Sequence, residues 1–369
     1  MTRVKVGRNL PPYKHDWDFH QSSMEFFNDV KRVGKYTWRS VQLSRFWREL
    51  SGAAVPGAGG LLAFHLVRGK SQTARELGEQ YFSLGQRMHS PTHLLWSHWL
   101  LGLTLFHLGE VVPSREHLEQ GVALYDLRQH RSPAFLSGGV TPGVGCLSFV
   151  AWILGICGHP DQALKRSHEA LTLAQELAHP YSLAFALNIA AILSQLLRKG
   201  QAAQQRAAVL ITLSTEQGFT PYLAEGTMLR GWALTEQGKE EEGLTQIQQG
   251  LSAQRVTGEE LERPYWLALL AEAYGKVGQA EEGLSALAEA LGQVDKTGAR
   301  LHKAELYRLK GDLLLTQEGK NQRTKVKNLK GPVLTPNSQS LCQKLKRVFS
   351  RPLRSRRNNK QNRWNYARR

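Results

Sequence analysis

Sulfur, long apolar runs and nucleophile motifs are scarce in this chain. Three cysteines (Cys146, Cys157 and Cys342) in 369 residues are too few for a disulfide framework and fit a reducing compartment. No apolar run reaches the roughly 18–20 residues that cross a bilayer, so no transmembrane helix is expected. The first residues, Met1-Thr2-Arg3-Val4-Lys5, carry no apolar signal segment, which makes the cytoplasm the expected location. There is no G-x-S-x-G and no Cys/His arrangement fit for covalent catalysis. Gly69-Lys70-Ser71 matches the last residues of a phosphate-binding loop, but Phe64 stands where that loop needs glycine. His89, His93, His98, His107 and His117 lack the i,i+4 pairing with carboxylate support that a zinc helix uses, since His89 and His93 straddle Pro91. They read as scattered polar residues, and Cys146 and Cys157 as small buried thiols. No catalytic residue, cofactor or metal ligand is expected.

Charge is plentiful but unevenly spread. The formal net charge is +17, and an apolar fraction of 41% is enough for a sizeable core. Of 48 Lys/Arg, 10 lie in residues 1–50 and 16 in residues 319–369, the latter stretch holding no acid at all. That leaves 22 basic against 26 acidic residues in the middle, a mildly acidic body without a nucleic-acid footprint. The basic tail, with Phe349, Trp364 and Tyr366 among its cations, carries the competing reading: a nucleic-acid-associated protein that binds weakly and non-specifically through this arm.

The middle is periodic. Glycines in turn context recur at Gly69, Gly109, Gly158, Gly200, Gly238 and Gly278, spaced 40, 49, 42, 38 and 40. Prolines interleave at Pro91, Pro142, Pro180, Pro221 and Pro264. Proline suits the first turn of a helix, and glycine the left-handed residue that closes one. Each unit therefore reads as proline, helix A, glycine turn, helix B, loop. Five residues after the turn glycine lie Ala74, Ser114, Ala163, Gly243 and Gly283, and twelve after it Tyr81, Gly121, Ala170, Gly250 and Ala290. Seven before it lie Gly102, Ala151, Gly231 and Ala271. Small residues seven apart give one face of helix B room to pack closely. The fourth unit is irregular, with Leu193 and Gln205 at two of the small positions. The surplus between units two and three falls near residues 131–145 and reads as a surface loop.

This is the tetratricopeptide pattern stretched from 34 to about 40 residues. It predicts an all-α fold, a right-handed superhelical solenoid of about six tetratricopeptide-like helix pairs over residues 61–317. Residues 1–60 are expected to be an irregular amino-terminal segment and residues 318–369 a disordered basic tail. The stretches at residues 73–80, 179–186, 230–234, 274–279 and 304–311 resemble the carboxy-terminal repeat region of bacterial class III nucleotide cyclase/AAA-ATPase signalling proteins. The resemblance implies a non-catalytic protein-interaction or regulatory scaffold, the remnant of a larger protein. Neither the cyclase nor the ATPase module is present to carry an activity over.

Both ends depart from that family. One codon choice for Gln361–Arg368, moved back one base, spells the family-like string AKSLELRA. A shorter echo occurs at Ala53–Ala58, so both ends are expected to be frame-shifted. Ala304–Thr316 supplies one more A-type helix, but the B helix that should cap it does not follow, and self-association through this uncapped end is expected.

The expected partner is a protein or peptide held along the A helices. Groove positions in tetratricopeptide geometry lie 13, 10, 6, 3 and 2 residues before each turn glycine. This register nominates Trp96, Trp99, Phe106, Trp152, Arg198, Met228, Trp232, Tyr265, Glu272 and Lys276. Aromatic and charged residues there can grip a peptide or helix. The alternative is that several of them, the tryptophans above all, pack helix A against its neighbours.

Overall fold

Proline and glycine punctuation sets the helix ends in the computed structural model, which describes residues 56–128, 130, 139–257 and 259–328. The described residues form thirteen α-helices and no strand. Six pairs follow one another: α1 (Pro56–Val67) with α2 (Ser71–Arg87), α3 (Pro91–His107) with α4 (Val111–Leu124), α5 (Pro142–Ile156) with α6 (Pro160–Glu176), α7 (Pro180–Leu196) with α8 (Gly200–Gln217), α9 (Thr220–Glu236) with α10 (Glu240–Thr257), and α11 (Arg263–Lys276) with α12 (Ala280–Thr297). A single helix, α13 (Lys303–Asn328), ends the series. The chain divides into two units, residues 1–317 and 318–369, and the six pairs lie in the first. Each marker proline occupies the first or second position of an A helix, where its missing N–H breaks no bond. The fold is the expected helical-repeat solenoid.

Each A helix closes in a left-handed turn. At the first, Gly69 has φ of +69°, and the Lys70 amide donates back to the His65 carbonyl at 2.8 Å, the long bond of a Schellman motif. Gly69 is thus a turn glycine and no part of a phosphate loop.

The fourth turn corrects the sequence register. Its left-handed residue is Arg198, with φ of +56°, whereas Gly200 is the first residue of α8. The Lys199 amide donates to the Ser194 carbonyl at 2.8 Å, the same motif built on a non-glycine residue. With Arg198 as the marker, the turn spacings become 40, 49, 40, 40 and 40. Two of the small positions then fall on Ala191 and Ala203, both fully buried, while the third is taken by Leu210. A left-handed non-glycine residue costs roughly 1–2 kcal/mol. Packing of Ala191 and Ala203 fixes where the turn falls, and glycine two residues away cannot move it.

Small residues let paired helices touch. A Cβ on Gly243 would lie 2.4 Å from the Gly231 carbonyl oxygen, and one on Gly231 would lie 2.6 Å from the Gly243 oxygen. The α9 and α10 backbones are therefore in direct contact. Around such contacts the core fills with large side chains, Trp232, Trp266 and Phe106 among the most buried. Each contributes on the order of 2–3 kcal/mol of burial free energy.

Three local expectations change, the first being that helix α1 begins at Pro56, five residues inside the segment 1–60 that was expected to be irregular. The segment read as a surface loop ends earlier than expected, because Pro142–Gly145 already belong to α5 and are buried. Thr141 before them is buried as well, its amide donating to Ser182 Oγ at 3.0 Å. Helix α13 starts where expected but runs eleven residues past Gln317, to Asn328, so the tail is helical where disorder was expected to begin. No proline interrupts residues 303–328 to stop it. Apart from residues 56–58 in α1 and 318–328 in α13, the frame-shift and basic-arm expectations fall outside the described residues, as do those for residues 131–138 of the loop.

Candidate functional site

The A helices α5, α7, α9 and α11 pack side by side, so residues at equivalent positions form rows across them. Seven of the nominated residues, Trp96, Trp99, Phe106, Trp152, Met228, Trp232 and Tyr265, are each no more than 8% exposed. They join helix to helix. Trp99 sets its edge on Phe149 and Phe185 at 5.6 and 6.0 Å between centroids, and Trp152 does the same with Tyr265 at 6.0 Å. The remaining three, Arg198, Glu272 and Lys276, come together at one end of the row with Glu236. Arg198 pairs with Glu272 and lies 3.7 Å from Glu236, and Lys276 pairs with Glu236. The Trp232 indole donates to Glu272 Oε2 at 3.3 Å, and the Arg198 guanidinium sits over the Trp232 ring at 5.9 Å. The left-handed turn at Arg198 thus aims its side chain into this cluster.

The corrected register adds residues that the sequence reading passed over. Counting back from Arg198 instead of Gly200 moves the five nominated positions of α7 to Phe185, Asn188, Ile192, Gln195 and Leu196, and makes Arg198 itself the turn residue. Two of these take polar partners across the row: Asn188 Nδ2 donates to Glu225, and Gln195 Oε1 accepts from the Tyr265 hydroxyl at 3.0 Å. The signal was present in the sequence, since 158, 198, 238 and 278 are evenly spaced. A search restricted to glycine could not see it.

Beside Glu225 stand Glu259 and Glu262. His107, 155 residues away from Glu262 in sequence, points Nε2 at its Oε1 from 2.6 Å, and His302 approaches the other oxygen at 3.7 Å. Burial works against both charges of the His107–Glu262 pair. The mutual attraction and hydrogen bond nevertheless raise the His107 pKa above its ordinary value and hold the Glu262 carboxyl at about 2. Glu259 accepts from the Glu262 amide at 2.7 Å, and burial, reinforced by the Glu262 charge, pushes its carboxyl up to about 7. Glu225 is raised well above the ordinary range, first by burial and then by the charges of Glu259 and Glu262. Glu225 and Glu259 are both partly exposed at the protein surface, while Asn188 behind Glu225 is buried.

The histidines are less scattered than the sequence suggested. His98 and His117 meet with Nδ1 atoms 3.0 Å apart, and Phe82 covers both rings edge-on. Burial, with the neighbouring His117, lowers His98 to about 4, so this pair is neutral at pH 7. His107 is the buried ion-pair partner described above. Among the described residues no three His, Cys, Asp or Glu side chains are placed to hold a metal ion. The two described thiols differ: Cys146 is buried as expected, but Cys157 closes α5 and is exposed. Burial also raises the Cys146 pKa, which keeps it from the reactive thiolate form. A maleimide added to the native protein is expected to modify Cys157 and spare Cys146 until unfolding, as peptide mass spectrometry would read.

Helix pairs in 40-residue register, closed by left-handed turns and packed through small residues, define the class: a tetratricopeptide-like all-helical repeat protein. Against known proteins, no family model matches. The chain is 25% identical over 211 residues to an uncharacterized protein of Rhizobium meliloti (strain 1021), covering 56% of this chain and 20% of that protein. It thus spans about a fifth of the length of that curated relative. In structure it is similar to NprR in complex with its cognate peptide NprX, with a TM-score of 0.52 at 13% identity over 94% of this chain and 97% of that one. It is also similar to a signal-transduction ATPase with numerous domains and a tetratricopeptide-repeat sensor, from Pyrococcus horikoshii. There the TM-score is 0.43 at 12% identity, over 72% of this chain and 40% of that one.

Proposed function

We propose that the repeat unit is a non-catalytic scaffold that binds a protein or peptide along its A helices, as one regulatory module of a cyclase/ATPase type of signalling protein. The observation that carries this reading is the cost of the polar cluster around Glu262, which forms an inner row. Glu225, Glu259, Glu262, Asn188 and His107 sit where apolar side chains of similar volume would stabilise the fold as well or better. Local rules broken in this way mark functional sites. The peptide bound to NprR in its solved complex supports a peptide or protein as the partner class, and the greater length of the Rhizobium relative supports reading the repeats as one module of several.

The test is capture of one partner by the purified chain, followed by variants. A scaffold of this kind keeps its partner when residues 329–369 are removed and loses it in the double variant Glu225→Leu/Glu272→Leu. Loss on tail removal, with the double variant still competent, would favour the nucleic-acid reading. Turnover of ATP by the purified chain above a buffer control would defeat the non-catalytic one.

A specific feature of α13 favours self-association as a second property. Gly311 continues the row of small residues Ala191, Gly231 and Ala271 at a spacing of 40. In the earlier pairs this position lies against a B helix, yet among the described residues nothing stands within 4 Å of a Cβ on Gly311. Tyr307, Leu314 and Leu315 on the same helix are 54%, 42% and 69% exposed. Among the described residues no B helix packs on this position of α13. Sedimentation at increasing concentration is expected to show association that Leu314→Lys/Leu315→Lys abolishes; a monomer at all concentrations would refute it.

A further inference from the structure

We propose that Glu225 and Asn188 form a subsite for an alkylammonium group, the side chain of a lysine in the bound partner. The inference deepens the scaffold reading and rests on it for the source of the lysine. Three independent observations support it.

The first is an unfilled acceptor. Asn188 is 5% exposed and spends its Nδ2 on Glu225, while its Oδ1 on the same amide is buried without a partner. Natural proteins seldom leave a buried amide oxygen unpaired, because it forfeits its hydration for nothing in return. The second is charge. Three cations of the A-helix rows and their rim are engaged with other carboxylates: Arg198 with Glu272, Lys276 with Glu236, and His107 with Glu262. Among the described residues no lysine or arginine pairs with Glu225, whose negative neighbours Glu259 and Glu262 add to the field. The third is access, since Glu225 is partly exposed while the amide behind it is not.

The groups offered to a ligand are the unpartnered Asn188 Oδ1 and the Glu225 carboxylate in its ionised form, both of them acceptors. Their chemical complement is a compact group with donors and no acceptor, and an ammonium with three N–H donors is that group. A bound cation would also satisfy the Glu225 carboxylate in its charged form. Ligand entry would then release the proton that burial holds there.

Nuclear magnetic resonance of the intact chain, observing the Asn188 side-chain amide, tests this with four probes. These are n-butylammonium chloride, tetramethylammonium chloride, the capped peptide Gly-Gly-Lys-Gly-Gly, and the same peptide with norleucine for lysine. Butylammonium and the lysine peptide are expected to shift the amide saturably. Tetramethylammonium, which has the charge without the donors, and the norleucine peptide are expected to leave it in place. Glu225→Gln retains an amide oxygen that can accept the Asn188 hydrogen bond, is expected to keep the melting temperature of the parent, and is expected to weaken butylammonium binding at least tenfold. No saturable shift, an equal shift by tetramethylammonium, or unchanged binding in Glu225→Gln would overturn the subsite. Binding of butylammonium but not of the lysine peptide would overturn lysine as the source in favour of a free amine. A captured partner that Glu225→Gln retains would leave the scaffold reading standing and count against this one. Amine binding in a chain that captures no partner would do the reverse.

Discussion

The Gly243→Leu variant is expected to lose more than about 3 kcal/mol of stability, the upper end of what overpacking costs. The reason lies in what a side chain there would meet. A Cβ alone would stand 2.4 Å from the Gly231 carbonyl oxygen, 2.5 Å from Thr235 Cγ2 and 2.9 Å from the Thr235 amide nitrogen. Two of those three atoms are backbone and cannot rotate away. Helix α10 would have to separate from α9, uncovering Ile247 and Trp232, which are both fully buried. In a solenoid each pair is stabilised mainly by its neighbours, so the loss is expected to be local at first. Hydrogen exchange should accelerate in α9 and α10 before it does in α5. Gly292→Ala provides the contrast, because among the described residues nothing lies within 4 Å of a Cβ at that exposed helical position. It is expected to gain about 0.5–1 kcal/mol. Equal melting temperatures for the two variants would show that small residues do not govern the pairing of these helices.

Stability is also expected to depend on pH with a maximum near pH 5, set by the inner row. Glu259 and Glu225 have folded pKa values above the ordinary 4.5, the former at about 7, through burial and neighbouring negative charge. Between pH 4.5 and 7 the folded chain therefore holds protons that the unfolded chain has released, and stability falls as pH rises through that window. His107 acts in the same direction. Its folded pKa is raised above 6.5 by Glu262 against the effect of burial, so its contribution is complete below pH 6.5 and lost above the folded value. Glu262 acts oppositely: held at about 2, it contributes fully above pH 4.5 and loses that contribution as pH falls towards 2. Urea titrations between pH 5 and 8 are expected to show a decline on the order of 1–3 kcal/mol. Glu259→Gln should flatten that limb and stabilise the protein at pH 8. Glu262→Gln should destabilise it by about 3–5 kcal/mol at pH 6, because His107 is left buried beside a neutral amide. Stability that rises from pH 5 to 8, or a Glu262→Gln variant as stable as the parent, would contradict this account of the row.

The sequence by itself determined whatever repeats. Proline before helix A, a left-handed turn after it, and small residues at fixed offsets are local requirements, so a period near 40 residues revealed six helix pairs and the start of a seventh. It placed Gly243, Gly250 and Gly231 at helix contacts for the right reason. It failed at Arg198, where a non-glycine residue takes the left-handed turn because Ala191 and Ala203 fix the packing and Glu272 engages its side chain. The slip of two residues hid Asn188 and Gln195. Tertiary structure alone decided which groove positions are filled and which are open. Trp99 and Trp152 satisfy the same spacing rule as Lys276, yet neighbouring A helices cover the tryptophans and leave the lysine side chain 27% exposed. It alone also brought His107 to Glu262 across 155 residues. Such contacts depend on the small rotation between successive pairs summed over several repeats, which no single repeat encodes.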